Sequence, residues 1–275
     1  MSETAPPVVL TIAGSDSGGG AGIQADLKTF HAFGVFGTSV VTAVTAQNTR
    51  AVTAVHPVPV EMVRAQFDAL RADLPPVALK TGMLATSELV RVVAEGVAGM
   101  GEASYVMDPV MVASSGDRLL EADAESALAE QLLPLATLVT PNLHEARLLA
   151  GMDITTVEDA RAAAARLLER GVGAVLVKGG HLEGDEAVDV LVHAGGERTW
   201  RRPRLATRST HGTGCTLSAA ITASLALGHD LESAVDLGID FVRRAMGAAP
   251  GLGAGHGPLS HFVPARARVP DDRER

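Results

Sequence analysis

Short apolar runs alternate with longer amphipathic segments along most of the chain, a pattern typical of strands followed by helices. The apolar runs predict strands at residues 8–13, 37–44, 77–80, 104–107, 138–140 and 174–178. The amphipathic segments predict helices at residues 22–33, 60–72, 87–98, 122–132, 143–150, 157–170, 214–227 and 231–248. Two alternating runs between residues 187 and 202 flank a Gly-Gly turn and predict a β-hairpin. This order predicts an α/β fold with a mainly parallel sheet and an antiparallel edge.

The chain has 275 residues and no linker rich in Gly, Ser and Pro that is long enough to separate domains, so residues 1–275 are predicted to form one domain. The core is expected at about residues 8–262, and the charged, proline-containing segment 264–275 predicts a frayed tail. A net charge of −9 argues against nucleic-acid binding, which requires a basic surface. The charge-free runs 29–49 and 209–229 are broken by glycine and rich in Thr and Ser, unlike a membrane span.

The N-terminal residues 1–7 have neither the basic start nor the apolar stretch of a secretory signal. A single cysteine excludes an internal disulfide bond, which agrees with a reducing compartment. We therefore expect a cytoplasmic protein that does not bind membranes.

That only cysteine, Cys215, stands at the start of a predicted helix, directly after Gly212, Thr213 and Gly214. The unpaired amides and partial positive charge of a helix N-terminus suit a phosphate group and favour a thiolate. A lone cysteine is more often a small buried apolar residue. Here, however, the two glycines leave the backbone bare where a ligand would approach, so we expect chemistry at this position.

The segment 14–22 follows the first predicted strand and contains five glycines. It loosely matches a dinucleotide fingerprint, but no acidic residue for a ribose occurs between Asp26 and Glu61. The Gly-Lys-Ser/Thr sequence of a Walker loop is absent from the chain. The segment is therefore predicted to be a flexible turn that leads into a helix containing Asp26. The Asp26 side chain lies either on a solvated face of that helix or towards a ligand.

Polar residues also follow other predicted strands, where open parallel sheets bind ligands. Gln47 can donate and accept hydrogen bonds, which suits a heterocycle, but taken alone it is better explained as part of a strand-ending turn. Asp108 is either a turn residue or a carboxylate at the ligand end of the sheet. Lys178 ends an apolar strand before two glycines, and its partner is either a phosphate or surface water.

Asn142 and Glu145 stand three residues apart, as in a capping box that opens the helix 143–150. The same carboxylate is suited to hold Mg²⁺ through water, because Mg²⁺ takes few protein ligands. The nine histidines show no zinc-site spacing, and no G-x-S-x-G elbow of a serine hydrolase occurs.

Taken in order, these segments closely resemble the hydroxymethylpyrimidine/phosphomethylpyrimidine kinases of thiamine biosynthesis, in the ribokinase superfamily. The resemblance extends from about residue 8 to 262 and rests on seven ordered motifs: TIAGSD from Thr11, AQNT from Ala46, KTGML from Lys80, DPVM from Asp108, TPNLHE from Thr140, VKGGH from Val177 and THGTGC from Thr210. It implies a ribokinase-like three-layer α/β/α sandwich that acts as a homodimer. It also implies phosphorylation of 4-amino-5-hydroxymethyl-2-methylpyrimidine, and then of its monophosphate, with ATP and Mg²⁺.

The resemblance implies roles for particular residues. Pyrimidine binding is assigned to Gly14, Asp26, Gln47, Met83 and Val110. The catalytic group consists of Lys178, which approaches the ATP phosphates, and of the anion hole with its base, assigned to Gly212, Thr213, Gly214 and Cys215. Nucleotide contacts are assigned to Asp108, Thr140, Asn142, Lys178, Gly179, Thr210 and Gly212, and the metal to Glu145 and Asp108. Most ribokinase relatives have Asp where this chain has Cys215, which argues against a sugar kinase.

For the first transfer, an alcohol must lose a proton, and Cys215 is expected to accept it if the helix terminus lowers its pKa from about 8.5. The second acceptor is a phosphate monoester that is already largely ionised at neutral pH, so no base is required. The nearest alternative is a pyridoxal or pyridoxine kinase, alone or as a second activity, because that substrate also carries a hydroxymethyl group on a heteroaromatic ring. A non-catalytic pyrimidine-binding protein is the remaining alternative.

Overall fold

The computed structural model describes residues 5–111, 122–179 and 185–265. Its strands are β1 (Val8–Asp16), β2 (Phe36–Gln47), β3 (Val52–Pro57), β4 (Ala78–Thr81), β5 (Ser104–Met107), β6 (Leu138–Val139), β7 (Ala174–Val177), β8 (Glu186–His193) and β9 (Gly196–Pro203). Its helices are α1 (Gly22–Ala32), α2 (Val60–Asp73), α3 (Ser87–Ala98), α4 (Ala122–Ala127), α5 (Leu143–Ala150), α6 (Val157–Leu168), α7 (Thr213–Ala226) and α8 (Leu231–Gly247). A π-helical turn (Leu128–Leu132) and a 3₁₀ turn (Leu133–Leu135) follow α4.

The described strands form one sheet in the order β3-β2-β1-β4-β5-β6-β7-β8-β9. The six strands from β2 to β7 in this order run parallel, while β3 at one edge and the hairpin β8-β9 at the other are antiparallel. The predicted strands, hairpin and antiparallel edge are confirmed. The sequence analysis missed β3, because five of its six residues are exposed and it therefore has no buried face to produce an apolar pattern.

Alternate residues of the strands supply two separate cores, one on each face of the sheet. In β1, Val9 packs with Phe30 of α1, whereas its neighbour Leu10 belongs to the cluster that contains Phe67 of α2. In β5, the neighbours Val106 and Met107 likewise belong to two different core clusters. Because side chains of a strand point alternately to opposite faces, helices must cover both sides. The three-layer α/β/α sandwich is thereby confirmed.

Helix α7 is deeply placed, with nine buried residues among its fourteen. Three of its buried hydroxyl side chains bond within the helix: Ser218 donates to the Gly214 carbonyl, Thr222 to the Ser218 carbonyl and Ser224 to the Ala220 carbonyl. A Cβ at Gly238 of α8 would lie 2.9 Å from Cγ1 of Ile221, so the two helices touch at close range. Packing on both sides therefore fixes the position of α7 and of its first turn.

In the described ranges, no helix is long and apolar enough to cross a membrane. Two residues of the VKGGH motif, Gly180 and His181, lie outside the described residues, as does most of the predicted tail. The single-domain organisation of residues 1–275 stays a prediction.

Candidate active site

The carboxyl ends of the parallel strands open on a cavity of about 940 Å³. Most residues singled out in the sequence line it: Gly14, Gln47, Met83, Asp108, Val110, Asn142, Glu145, Lys178, Thr210, Gly212, Thr213, Gly214 and Cys215. They come from strand ends and helix starts that are far apart in the chain but adjacent in the sheet. The cavity therefore joins the two sets of residues that the sequence motifs assign to a pyrimidine and to a phosphate donor.

The first turn of α7 forms one wall of the cavity. Gly212 is its N-cap in the left-handed region at φ +83°, and no side chain caps the amides of this turn. A Cβ at Gly212 would overlap the carbonyl oxygen of Gly20, so only glycine fits there. A Cβ at Gly214 would lie 3.3 Å from Nζ of Lys178 and 3.4 Å from Oδ2 of Asp108. The helix start, the ammonium group and a carboxylate thus meet at one point.

Lys178 and two carboxylates form a charged cluster beside this turn. Nζ of Lys178 donates to Oδ1 of Asp108 at 2.9 Å. Burial disfavours the charge of Lys178, but the nearby Asp108 and Glu145 outweigh burial and raise its pKa. Burial raises the pKa of Glu145 to about 7, which Lys178 opposes and Asp108 reinforces. The cluster therefore contains one protonated lysine beside two carboxyl groups, so a single positive charge faces two acidic side chains.

Glu145 also has the structural role that its spacing predicted. The Glu145 backbone amide donates to Oδ1 of Asn142 at 2.9 Å, and the Asn142 backbone amide donates to Oε2 of Glu145 at 2.8 Å. This reciprocal pair is the predicted capping box at the start of α5. The cap fixes the Glu145 carboxylate at the cavity wall, where its charge acts on Lys178.

The half-buried Cys215 lines the cavity, and the nearby backbone amide of Gly22 at the start of α1 favours the ionised form of its thiol. Burial raises its pKa to about 11; Lys80 opposes this shift, whereas Asp26 and Asp108 reinforce it. The expectation that the helix terminus lowers this pKa is therefore wrong for the protein without ligands. Loss of water and the neighbouring carboxylates outweigh the helix terminus, so the group is a neutral thiol at pH 7.

Asp26 lies behind the cavity wall rather than on it. Its carboxylate is fully buried and accepts from Nζ of Lys80 at 3.0 Å with both oxygens, and from the hydroxyl of Thr11 at 2.6 Å. Burial raises the pKa of Asp26, and Lys80 opposes this shift. Its predicted contact with a pyrimidine stays a prediction, and its present contacts are structural.

Thr140 and Gly179 also lie behind the wall and reach the cavity only through neighbours. The hydroxyl of Thr140 lies 3.4 Å from Oδ1 of Asp108, and the Gly179 amide donates to Oδ1 of Asp189 at 3.1 Å. Asp189 itself lines the cavity, although the sequence analysis did not single it out. The nucleotide contacts assigned to Thr140 and Gly179 stay predictions.

The sequence analysis missed the residue that organises the glycine-rich turn. Asp16 accepts hydrogen bonds from the amides of Gly18 at 2.7 Å, Gly20 at 3.0 Å and Ala21 at 2.8 Å, and it also contacts Nε2 of His211 at 2.8 Å. Burial opposes ionisation of Asp16, but the His211 and amide hydrogen bonds outweigh it and lower its pKa. Both residues lie inside motifs quoted from the sequence, but no local pattern pairs residues that are 195 positions apart.

The sequence model of the phosphomethylpyrimidine kinase family matches residues 16–260. A hydroxymethylpyrimidine/phosphomethylpyrimidine kinase of Rhizobium meliloti (strain 1021) is 54% identical over 93% of this chain and 97% of its own length. The crystal structure of phosphomethylpyrimidine kinase from Clostridium difficile 630 superposes with a TM-score of 0.79 at 43% identity, over 87% of this chain and 99% of that one. Pyridoxal kinase from Staphylococcus aureus in complex with AMP-PCP and pyridoxal superposes with a TM-score of 0.86 at 34% identity, over 97% and 96% of the two chains. These similarities confirm the resemblance drawn from the motifs, and the chain belongs to the phosphomethylpyrimidine kinase family.

Proposed function

We propose that this phosphotransferase moves the γ-phosphoryl group of ATP to the hydroxymethyl oxygen of 4-amino-5-hydroxymethyl-2-methylpyrimidine, and then phosphorylates the resulting monophosphate, in thiamine biosynthesis. One observation carries the proposal. The glycine-flanked start of α7 lies beside Lys178 in the same cavity that Gln47, Met83 and Val110 line. A phosphate donor and a flat heterocycle therefore have room to meet in the same space.

The phosphate end supplies charge compensation. Phosphoryl transfer needs an in-line acceptor and stabilisation of charge on the equatorial oxygens more than covalent chemistry from the protein. The amides of the first turn of α7 and the ammonium group of Lys178 supply that stabilisation. Because the pKa of Lys178 is raised, its positive charge persists across the neutral pH range.

The pyrimidine end supplies a polar edge and an apolar slot. Gln47, Met83 and Val110 line the cavity. The Gln47 side-chain amide suits the ring nitrogens and the amino group, and the two apolar side chains suit the ring faces. A Cβ at Gly14 would lie 3.3 Å from Sδ of Met83, so glycine keeps the slot open for a flat ring. This arrangement supports the pyrimidine as the acceptor.

Cys215→Ala should slow the first phosphorylation about 10²-fold and change the second by less than threefold, because only the alcohol must lose a proton to a base. With a thiol pKa of about 11, the thiolate fraction rises tenfold per pH unit. The first transfer by the parent protein should therefore accelerate steeply from pH 7 to 9, and that slope should disappear in the variant. Rates are measured with each acceptor separately across this range. Equal losses of rate with both acceptors would mean that Cys215 acts by positioning or packing and not as a base.

We propose that Asp108 and Glu145 hold Mg²⁺ together with water. The fit rests on two carboxylates beside one lysine. Burial raises the pKa of Glu145 to about 7 and the nearby Asp108 adds to the shift, so a dication here would favour the ionised carboxylate. In the described part of the chain, no group of three or more acidic, His or Cys side chains forms a protein-only metal cage. This agrees with Mg²⁺, which retains much of its hydration. When bound, Mg²⁺ supplies further neutralisation of phosphate charge.

Glu145→Gln should raise the Mg²⁺ concentration for half-maximal activity about tenfold and leave the KM for the pyrimidine nearly unchanged. The amide retains an oxygen for the capping box but loses the charge. The matched control is Asp159→Asn, which neutralises the capping-box acid of α6 away from the cavity. Mg²⁺ titrations that overlay for the variant and the parent would move the metal role to Asp108.

A second candidate is pyridoxal phosphorylation, which is favoured by the high TM-score with a pyridoxal kinase. Purified protein is assayed with ATP, Mg²⁺ and either the pyrimidine alcohol or pyridoxal, and the mono- and diphosphate products are followed separately. We expect the higher kcat/KM with the pyrimidine and formation of its diphosphate. A higher kcat/KM with pyridoxal, or no phosphorylated pyrimidine, would contradict the proposal. Retention of Lys178, Glu145 and the α7 glycines argues against a non-catalytic binding protein.

We also propose a homodimer in the cytoplasm. The exposed edge strand β3 and the exposed apolar side chains of Val55 in β3 and of Val44 in its partner strand β2 support self-association. A free cysteine and a reaction that consumes ATP support a cytoplasmic location.

A further inference from the structure

The carboxylate of Asp16 is the centre around which the glycine-rich turn is folded. Oδ1 accepts from the Gly18 amide, and Oδ2 accepts from the amides of Gly20 and Ala21. The Asp16 carbonyl also accepts from the Gly19 amide at 2.9 Å. One buried carboxylate therefore satisfies three amides of the glycine-rich turn, and both ends of this turn line the cavity.

The same carboxylate reaches the other side of the cavity through His211. Asp16 is ionised and can only accept, so the Nε2 atom at 2.8 Å must carry the proton that it donates. His211 immediately precedes Gly212, the N-cap of α7, and its own amide donates to the Gly257 carbonyl at 3.1 Å. The His211 side chain is only 9% exposed, so water does not compete for this contact.

The two segments leave no free space between them. A Cβ at Gly20 would overlap the His211 ring, and a Cβ at Gly212 would overlap the Gly20 carbonyl oxygen. Backbone therefore packs on backbone where the glycine-rich turn meets the start of α7. A shift of either segment must move the other.

The glycine-rich turn is also tied to Gln47. The Ser17 hydroxyl donates to the backbone carbonyl of Gln47 at 2.8 Å, and the backbone amide of Gln47 donates to the Ser17 hydroxyl oxygen at 2.8 Å. The side-chain nitrogen of Gln47 lies 3.5 Å from Nε2 of His211. The wall proposed for the pyrimidine and the turn proposed for the phosphate thus share one hydrogen-bonded support.

We propose that Asp16 and His211 are positioning residues that fix the Gly212–Gly214 turn relative to Gln47, so that the acceptor oxygen and the γ-phosphoryl group stay in line. The inference rests on the proposed kinase function. Neither side chain is assigned a chemical step. In-line transfer is sensitive to displacements of about 1 Å, which can cost on the order of 10²-fold in rate.

The test compares His211→Leu, His211→Gln, Asp16→Asn and the double variant Asp16→Asn/His211→Leu with the parent protein. His211→Leu should lower kcat with the pyrimidine about 30-fold and change the KM for ATP by less than threefold, because it removes a charge-assisted hydrogen bond. His211→Gln should recover most of the rate, since its amide nitrogen can replace Nε2 as the donor to Asp16. The double variant should be no slower than the slower single variant, because the two side chains act as one unit.

A second readout separates positioning from folding. When the acceptor is out of line, water competes for the γ-phosphoryl group, so the ratio of ADP formed to pyrimidine phosphorylated should rise above one in His211→Leu. A loss of folded protein lowers both products together and leaves this ratio at one. The matched control is His193→Leu, which removes the contact at 3.4 Å between His193 and Glu232 outside the cavity.

Parent-like kcat in His211→Leu, equal losses in the Leu and Gln variants, or additive losses in the double variant would each overturn the inference while the kinase function stands. An unchanged ratio of ADP to product in a slow His211→Leu would overturn it as well. Absence of phosphorylated pyrimidine from the parent protein would overturn the proposed function, and this inference with it.

Discussion

Gly212→Ala is expected to lower kcat for both phosphoryl transfers by about 10³-fold, the largest loss for any single methyl group added to the site. The residue adopts φ +83°, and a Cβ there would overlap the Gly20 carbonyl oxygen. Relief of that overlap must move the first turn of α7 and its amides away from the transferring phosphate. Steady-state rates with the alcohol and with the monophosphate measure the loss.

The control is Gly228→Ala at the other end of α7. Gly228 has nearly the same φ, +84°, but no atom lies within 4 Å of a Cβ placed there. This variant should lose about 1 to 2 kcal/mol of unfolding free energy from backbone strain alone and should keep parent activity. If Gly212→Ala and Gly228→Ala lose stability equally and both keep their activity, the close approach at Gly20 has no catalytic consequence.

Lys178→Met is expected to lower kcat with both acceptors by about 10²- to 10³-fold, because an ammonium group that compensates phosphate charge is lost. The change also leaves Asp108 and Glu145 without their cation, so the pKa of Glu145 should rise above its value of about 7 in the parent. The Met side chain retains the length of the lysine stem, which limits the loss of packing. Steady-state kinetics with varied ATP check the effect on rate.

The control for Lys178→Met is Lys28→Met, which removes an exposed lysine whose ammonium group donates to the Gly19 carbonyl at 2.7 Å. We expect its kcat to stay within threefold of the parent value. A Lys178→Met protein that loses activity with only one acceptor would contradict a role in charge compensation, because both transfers share the same donor.

Much of the fold was predictable because the strands are buried on both faces. Val9 and Leu10, or Val106 and Met107, are apolar neighbours that enter opposite cores, and such continuous apolar runs are typical of parallel strands under helices. The edge strand β3 has no such constraint, since it pairs on one side and exposes most of its side chains. Its sequence therefore shows no sustained alternation of apolar and polar residues from which a strand could be predicted.

The convergence of strand ends was predictable from sheet topology, but the chemistry of the cavity depends on tertiary packing. The pKa of Cys215 is raised by burial and by carboxylates that reach it from other elements, and no local pattern gives that desolvation. Lys80 ends a predicted strand just as Lys178 does, yet it pairs with Asp26 beneath the cavity and Lys178 pairs with Asp108 at its wall. Strand position alone does not distinguish the two lysines.

The buried pair of Asp26 and Lys80 carries a consequence for how this enzyme family can diverge. Removing either partner leaves a charge sealed from water, a change that costs about 3 to 5 kcal/mol and consumes much of the stability of a typical protein. Replacing both partners together by apolar side chains of similar size is far less harmful. Across evolutionary time the two positions should therefore be inherited, and exchanged, as a couple.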